Sequence, residues 1–232
     1  MQELVLTPLY LGFTLGLTHA FDPDHLVAVS TLVSQEESVR RSSLVGVIWG
    51  LGHTASLALV GFVVLTLKLT IPPALARGME LGVALMILLL GGNLLWRSVQ
   101  ALVLHTHPHS HDDFTHAHLH LHRRKAMNHR HPHLLRSGRK PFVVGVVHGL
   151  AGSAALSLLV LATVPSTLLG LLYIIVFGLG SIGGMLFMSM VMSLPFVLTA
   201  DRFSLWHEQA KGLAGLVAVA FGLYLVWTLT RT

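Results

Sequence analysis

The sequence predicts an all-α integral membrane protein: six transmembrane helices forming two inverted three-helix repeats, with helix 1 broken near its middle. Three observations lead there. The chain of 232 residues is 53% apolar and 11% charged, with a mean hydropathy of +0.71, whereas soluble chains carry about 25% charged residues. Apolar runs occupy 4–33, 43–66, 78–101, 142–164, 167–198 and 212–229, and roughly 20 residues cross the hydrocarbon as a helix. The third observation is a repeat at near-constant offset. Gly16-Leu-Thr-His19 is matched by Gly145-Val-Val-His148, Gly50-Leu51-Gly52-His53 by Gly178-Leu179-Gly180-Ser181, and Gly91 and Trp96 by Gly222 and Trp227.

Each run must be a helix, because an unpaired backbone amide in lipid lies several kcal/mol uphill. Each repeat holds three helices, an odd number, so the second enters the membrane with opposite polarity, the plan of many secondary transporters. The divisions expected are 1–101 for the first repeat, 102–140 for a histidine-rich cytoplasmic loop and 141–232 for the second repeat. Glycines four apart (Gly12/Gly16, Gly46/Gly50, Gly78/Gly82, Gly145/Gly149 and Gly180/Gly184) put small surfaces on one helix face and let neighbouring backbones approach.

Orientation follows from the basic residues. With the N-terminus outside, the inward side holds Arg40, Arg41, Arg97, Arg123, Arg124, Lys125, Arg130, Arg136, Arg139, Lys140, Arg202 and Lys211, and the outward side only Lys68, Arg77 and Arg231. That bias places both termini outside and the central loop in the cytoplasm. The net charge of +5 reflects these flanks rather than a nucleic-acid surface, since the aromatic residues lie mainly inside the apolar runs. The N-terminus lacks the basic start and small-residue cleavage site of a secretory signal, so the first run is expected to stay as a helix. Without cysteine there is no thiolate metal site and no disulfide framework.

The chemistry concentrates in Thr18-His19-Ala20-Phe21-Asp22-Pro23-Asp24-His25, inside the first apolar run. Ionisable groups at membrane depth mark a functional site. In an unbroken helix His19, Asp24 and His25 would point apart, but Pro23 clashes with the carbonyl of His19 and breaks the helix there. The side chains and the freed carbonyls can then share one cavity. His53, between Gly52 and Thr54 in the second run, is a further candidate for a buried imidazole. Imidazole and carboxylate donors suit divalent nickel, cobalt or zinc.

Between the repeats, residues 105–133 hold His105, His107, His109, His111, His116, His118, His120, His122, His129, His131 and His133, eleven of the sixteen histidines. Too polar to bury a core, the tract is expected to be disordered without metal and to capture or buffer ions. Most imidazoles with ordinary pKa values near 6.5 are neutral at about pH 7 and available as ligands.

His19-Ala20-Phe21-Asp22-Pro23-Asp24-His25 resembles the signature of the nickel/cobalt transporter superfamily: His, four residues, Asp, His in a transmembrane helix. Gly52-His53-Thr54 is similar to that family's second motif, and His148-Gly149 with Gly152-Ser153 to the fourth-helix motif of its short six-helix branch. That branch includes urease accessory membrane proteins and nickel/cobalt efflux proteins. The resemblance implies transport of Ni2+ or Co2+ without a cofactor, with His19, Asp24 and His25 as metal ligands, then His53, Asp22 and His148. By the offset, Asp24, His25 and His53 correspond to Ser153, Ala154 and Ser181, so the second repeat is expected to give only weak oxygen ligands. Uptake is the expected direction, with efflux the alternative and a membrane-bound metal sensor or delivery scaffold the reading from another class. A cytoplasmic metallochaperone is a candidate partner. No His-Glu-x-x-His pattern supports a metallohydrolase.

Overall fold

The computed structural model describes the backbone of residues 2–101, 104–111, 114–121, 134–163, 166–200 and 204–231, and the side chains of 6–101, 138–152, 166–200 and 205–231. Seven helices carry the body of the molecule: α1 (Gln2–His19), α2 (Pro23–Val33), α3 (Val39–Leu67), α4 (Pro73–Ala101), α5 (Leu134–Thr163), α6 (Thr167–Ala200) and α7 (Ser204–Leu229). Among the described residues four segments are long and apolar enough to cross a membrane: Val39–Leu67, Pro73–Ala101, Thr167–Ala200 and Leu205–Leu229. Their outer surfaces stay apolar, with Leu89 75% and Leu168 70% exposed, as lipid rather than water requires.

The first apolar run divides where Pro23 predicts. Pro23 opens α2, at a position where its missing N–H is one of the unpaired donors of a helix start in any case. Phe21 N–H donates to the Thr18 carbonyl (2.9 Å) and Asp22 N–H to the His19 carbonyl (3.1 Å), so the chain turns tightly between the two helices. The carbonyls of Thr18 and His19, expected to face the cavity, are taken up in this turn instead.

Small residues set the packing. A Cβ at Gly12 would meet Tyr173, and one at Gly16 the carbonyl of Phe177, so α1 and α6 run side by side in the same direction. Gly145 lies against the carbonyl of Trp49 and Gly149 against that of His53, so α5 runs parallel to α3. Gly46 against Met185 and Ser189, and Gly61 against Ile174, make α3 and α6 antiparallel. Gly91 against Gly215 and Ala218, and Gly222 against Ala84 and Leu88, do the same for α4 and α7. Gly78 and Gly82 are different: nothing lies within 4 Å of a Cβ built on either. They lie in the first three turns of α4, and among the described residues no neighbour sits against them, which corrects the expectation that this pair seats a neighbour.

These directions put the ends joined by residues 102–133 on one face, the loop face, together with the α2–α3 and α6–α7 connections. The 68–72 connection and both termini lie on the opposite face. Toward the loop face Val33, Val45, Trp49, Val144, Met185 and Phe196 form one buried cluster. Toward the other face Leu57, Leu65, Tyr173, Ile174 and Phe177 form a second.

The loop also departs from the expectation of disorder. Residues Leu104–His111 (β1) and Phe114–Leu121 (β2) pair as an antiparallel ribbon whose register sets His105 against His120, His107 against His118 and His109 against His116. Histidine at alternate positions has the period of a strand, a pattern that a reading by composition passes over.

Candidate metal centre

The break between α1 and α2 brings into one place residues that a straight helix would spread around its circumference. His19 ends α1, while Asp24 and His25 occupy the first turn of α2. His53 stands about 21 Å along α3 from either end, between the two apolar clusters. The close approach of α3 and α5 at Gly145 and Gly149 lets His148 of α5 face the same place.

The imidazoles are mutual neighbours. Ring centroids lie 4.6 Å apart for His19 and His25, 5.3 Å for His19 and His53, 5.2 Å for His25 and His53, and 4.1 Å for His25 and His148. Two sets of donor atoms fall within 4.8 Å of one another: His19, His25 and His53, and Asp24, His25 and His148. His25 belongs to both. His25, His53 and His148 are buried.

The carboxylates decide which nitrogens are free. Asp22 Oδ2 lies 2.7 Å from His19 Nδ1. Asp24 accepts through Oδ2 from His148 Nε2 at 2.8 Å, and its Oδ1 lies 3.2 Å from His25 Nδ1. An ionised carboxylate only accepts, so in a neutral imidazole the nitrogen facing it carries the proton and the other keeps a lone pair. The free lone pairs are then His19 Nε2, His25 Nε2 and His148 Nδ1. Among the described residues His25 Nε2, His148 Nδ1 and both ring nitrogens of His53 are buried without a hydrogen-bond partner. Buried polar atoms without partners are rare; four are gathered in one place, and the rings of His25 and His148 are each held by Asp24 through their other nitrogen, as metal-binding histidines are held. Asp22 precedes α2 without capping it, since no side-chain cap bond forms and its carboxylate serves His19 instead.

A cavity of about 300 Å³ adjoins the cluster, lined by His19, Asp22, Asp24, His25 and His148, with Glu80 of α4 as a further carboxylate. Ala151 and Gly152 of α5 also line it, as do Val83 of α4 and Leu225 and Leu229 of α7, the last three near the ends of those helices on the face opposite the loop. Ser181 Oγ is buried without a partner on α6, while Ser153 lies outside the described side chains, as do the loop histidines from His105 to His133. Sequence reasoning missed Glu80, whose signal was a lone carboxylate inside the third apolar run. It also missed Trp49, whose ring lies 5.3 Å from that of His25.

Helices of membrane length enclosing a cluster of nitrogen and oxygen donors define a polytopic membrane protein with ligand chemistry at membrane depth. The chain belongs to the NicO family, described as high-affinity nickel-transport proteins, whose family model matches residues 5–168. This is a family of transporters, not of enzymes. The chain is 36% identical to the urease accessory protein UreH of Bacillus sp. (strain TB-90), over 100% of its own length and 95% of that protein. It is also similar to two chloroplast proteins of Arabidopsis thaliana, FOR GROWTH AND FERTILITY 1 and 2, at 28% and 25% identity over 95% and 97% of this chain and 59% and 58% of theirs. No solved structure matches the chain.

Proposed function

We propose that this protein carries nickel, and cobalt by the same route, across the cytoplasmic membrane in the direction of uptake. The observation that carries the reading is the convergence of His19, His25, His53 and His148 at membrane depth with ring nitrogens left unpartnered. A hydrated divalent ion cannot enter hydrocarbon without replacement ligands. His19, His25 and His53 offer three nitrogens to a dehydrating ion, and the set of Asp24, His25 and His148 adjoins it, so that His25 can hold the ion as it passes between the two. Asp22 and Asp24 orient the rings. Nitrogen donors of this number favour nickel and cobalt over magnesium and calcium, which prefer all-oxygen shells. The family's description supports the cargo.

The architecture proposed is six spans in two inverted repeats, 1–101 and 141–232, joined by a cytoplasmic loop at 102–140, with both termini outside. Its support is that contacts recur at the offsets of the sequence repeat. Gly16 on Phe177 is answered by Gly145 on Trp49, Gly180 on Phe13 and Leu17 by Gly52 on Phe142 and Val146, and Gly178 on Thr54 by Gly50 on Ile182. Each contact is carried into its counterpart by exchanging the halves, and the antiparallel pairs α3/α6 and α4/α7 fit the inverted polarity. Uptake is supported by the cavity, whose walls lie toward the face opposite the loop, the outside by the basic-residue bias. The loop acts as a cytoplasmic capture tract that holds the arriving ion for a metallochaperone.

Purified protein in proteoliposomes tests the reading. Nickel should cross, cobalt should compete, and magnesium or calcium in excess should not. Deleting residues 105–133 should preserve flux at saturating nickel, leave the half-saturation from the opposite face within about twofold, and raise it when nickel is supplied on the loop face. Protein that binds nickel but passes none would instead be a sensor or scaffold.

A further inference from the structure

We propose that Glu80 is the outer capture residue for the ion: with Asp22 it receives the hydrated divalent cation at the mouth of the cavity, on the face opposite the histidine loop, one step before the imidazoles. The inference rests on the transport reading and adds to it an entry site. Glu80 lies about 10 Å along α4 from its start, while the imidazole cluster lies near the middle of the helices. The same cavity joins the two levels. Glu80 has no hydrogen bond or ion pair among the described residues, so no cation among them is paired with its charge. The Asp22 side chain is 49% exposed and also lines the cavity. Deeper in the same cavity His25 offers its buried, unpartnered Nε2. The order from mouth to floor is thus carboxylate, carboxylate, imidazole. Exposed carboxylates attract the ion while it keeps most of its water, and buried nitrogens replace that water further in.

The two faces are not equivalent. At the offset relating α4 to α7, Glu80 corresponds to Lys211, so the carboxylate belongs to one face only. Toward the loop face, Val45, Trp49 and Met185 are buried together beside the cluster, whereas the cavity that reaches Glu80 opens toward the other face.

The chain contains no cysteine, which permits a direct test in the full-length reconstituted protein. Glu80→Gln should raise the half-saturation for nickel supplied from the face opposite the loop roughly fivefold, the scale of one exposed ion pair. The half-saturation from the loop face should move less than about twofold, and Glu80→Asp should recover most of the loss. Glu80→Cys should be modified by a membrane-impermeant thiol reagent only from the face opposite the loop, and nickel should slow that modification. An unchanged half-saturation in Glu80→Gln, an equal shift from both faces, or modification from the loop face alone would overturn the proposal while leaving transport intact. Absence of nickel flux in the unmodified protein would overturn the transport reading instead, and protection of Cys-substituted position 80 by nickel would still report capture at the mouth.

Discussion

Replacing His25 by Ala is expected to lower nickel flux in proteoliposomes at least about 100-fold, even with the histidine loop intact. His25 is the one side chain common to both sets of converging donors, so its loss leaves neither set with three. Disturbing only the partner of a metal-binding histidine typically costs 10- to 100-fold in affinity or activity, and removing the donor itself should cost more. His53→Ala should act in the same direction, because both of its ring nitrogens are buried without partners and no structural hydrogen bond is lost with it. Cobalt binding separates a site effect from a folding effect. In protein lacking residues 105–133, the visible absorption of bound Co2+ should weaken on His25→Ala while helical content stays that of the same protein with His25 in place. Normal flux in His25→Ala would end the assignment of the cluster as the ion path.

The second large effect concerns assembly. Gly16→Ala and Gly145→Ala should each destabilise the folded protein by about 3 kcal/mol or more, at the upper end for overpacked cores. In each case the new Cβ would meet a backbone carbonyl, that of Phe177 or of Trp49, which no side-chain rotation can move away. Helices would have to separate, and since α3 against α5 positions His53 and His148, the ion site would loosen with them. Gly82→Ala is the internal comparison. Nothing lies within 4 Å of its added Cβ, and Ala is the better helix former by about 1 kcal/mol, so thermal stability should hold or rise slightly. Detergent-solubilised protein heated in steps and assayed for monodispersity should show early loss for the first two variants only. Equal behaviour of Gly16→Ala and Gly82→Ala would refute the packing argument.

The segments and their kind follow from the sequence alone, because in lipid a long apolar run has one way to satisfy its backbone. The helix break was legible for a similar reason: Pro23 can open a helix but not continue one. The loop ribbon is legible in its period-two histidines, the spacing of a strand, although its polar composition reads as disorder.

The candidate site was legible only in part. His19, Asp24, His25 and His53 stand out because ionisable groups are rare inside apolar runs, and His148 was visible as the repeat counterpart of His19. Their roles were not. That Asp24 spends both oxygens on His25 and His148, that Asp22 serves His19 instead of capping α2, and that Glu80 shares their cavity are facts of distance between separate helices. The glycine pairs show the same division. All five have one spacing in the sequence, yet Gly78/Gly82 meets nothing among the described residues while Gly145/Gly149 brings two helices together beside the histidines. The sequence by itself determined which runs are helices, where the first one breaks and which ionisable residues lie within them, because hydrophobic length, proline stereochemistry and the rarity of buried charge act locally. Which faces meet, and so which lone pairs converge, only the tertiary structure decided, because that depends on contacts between helices far apart in the chain.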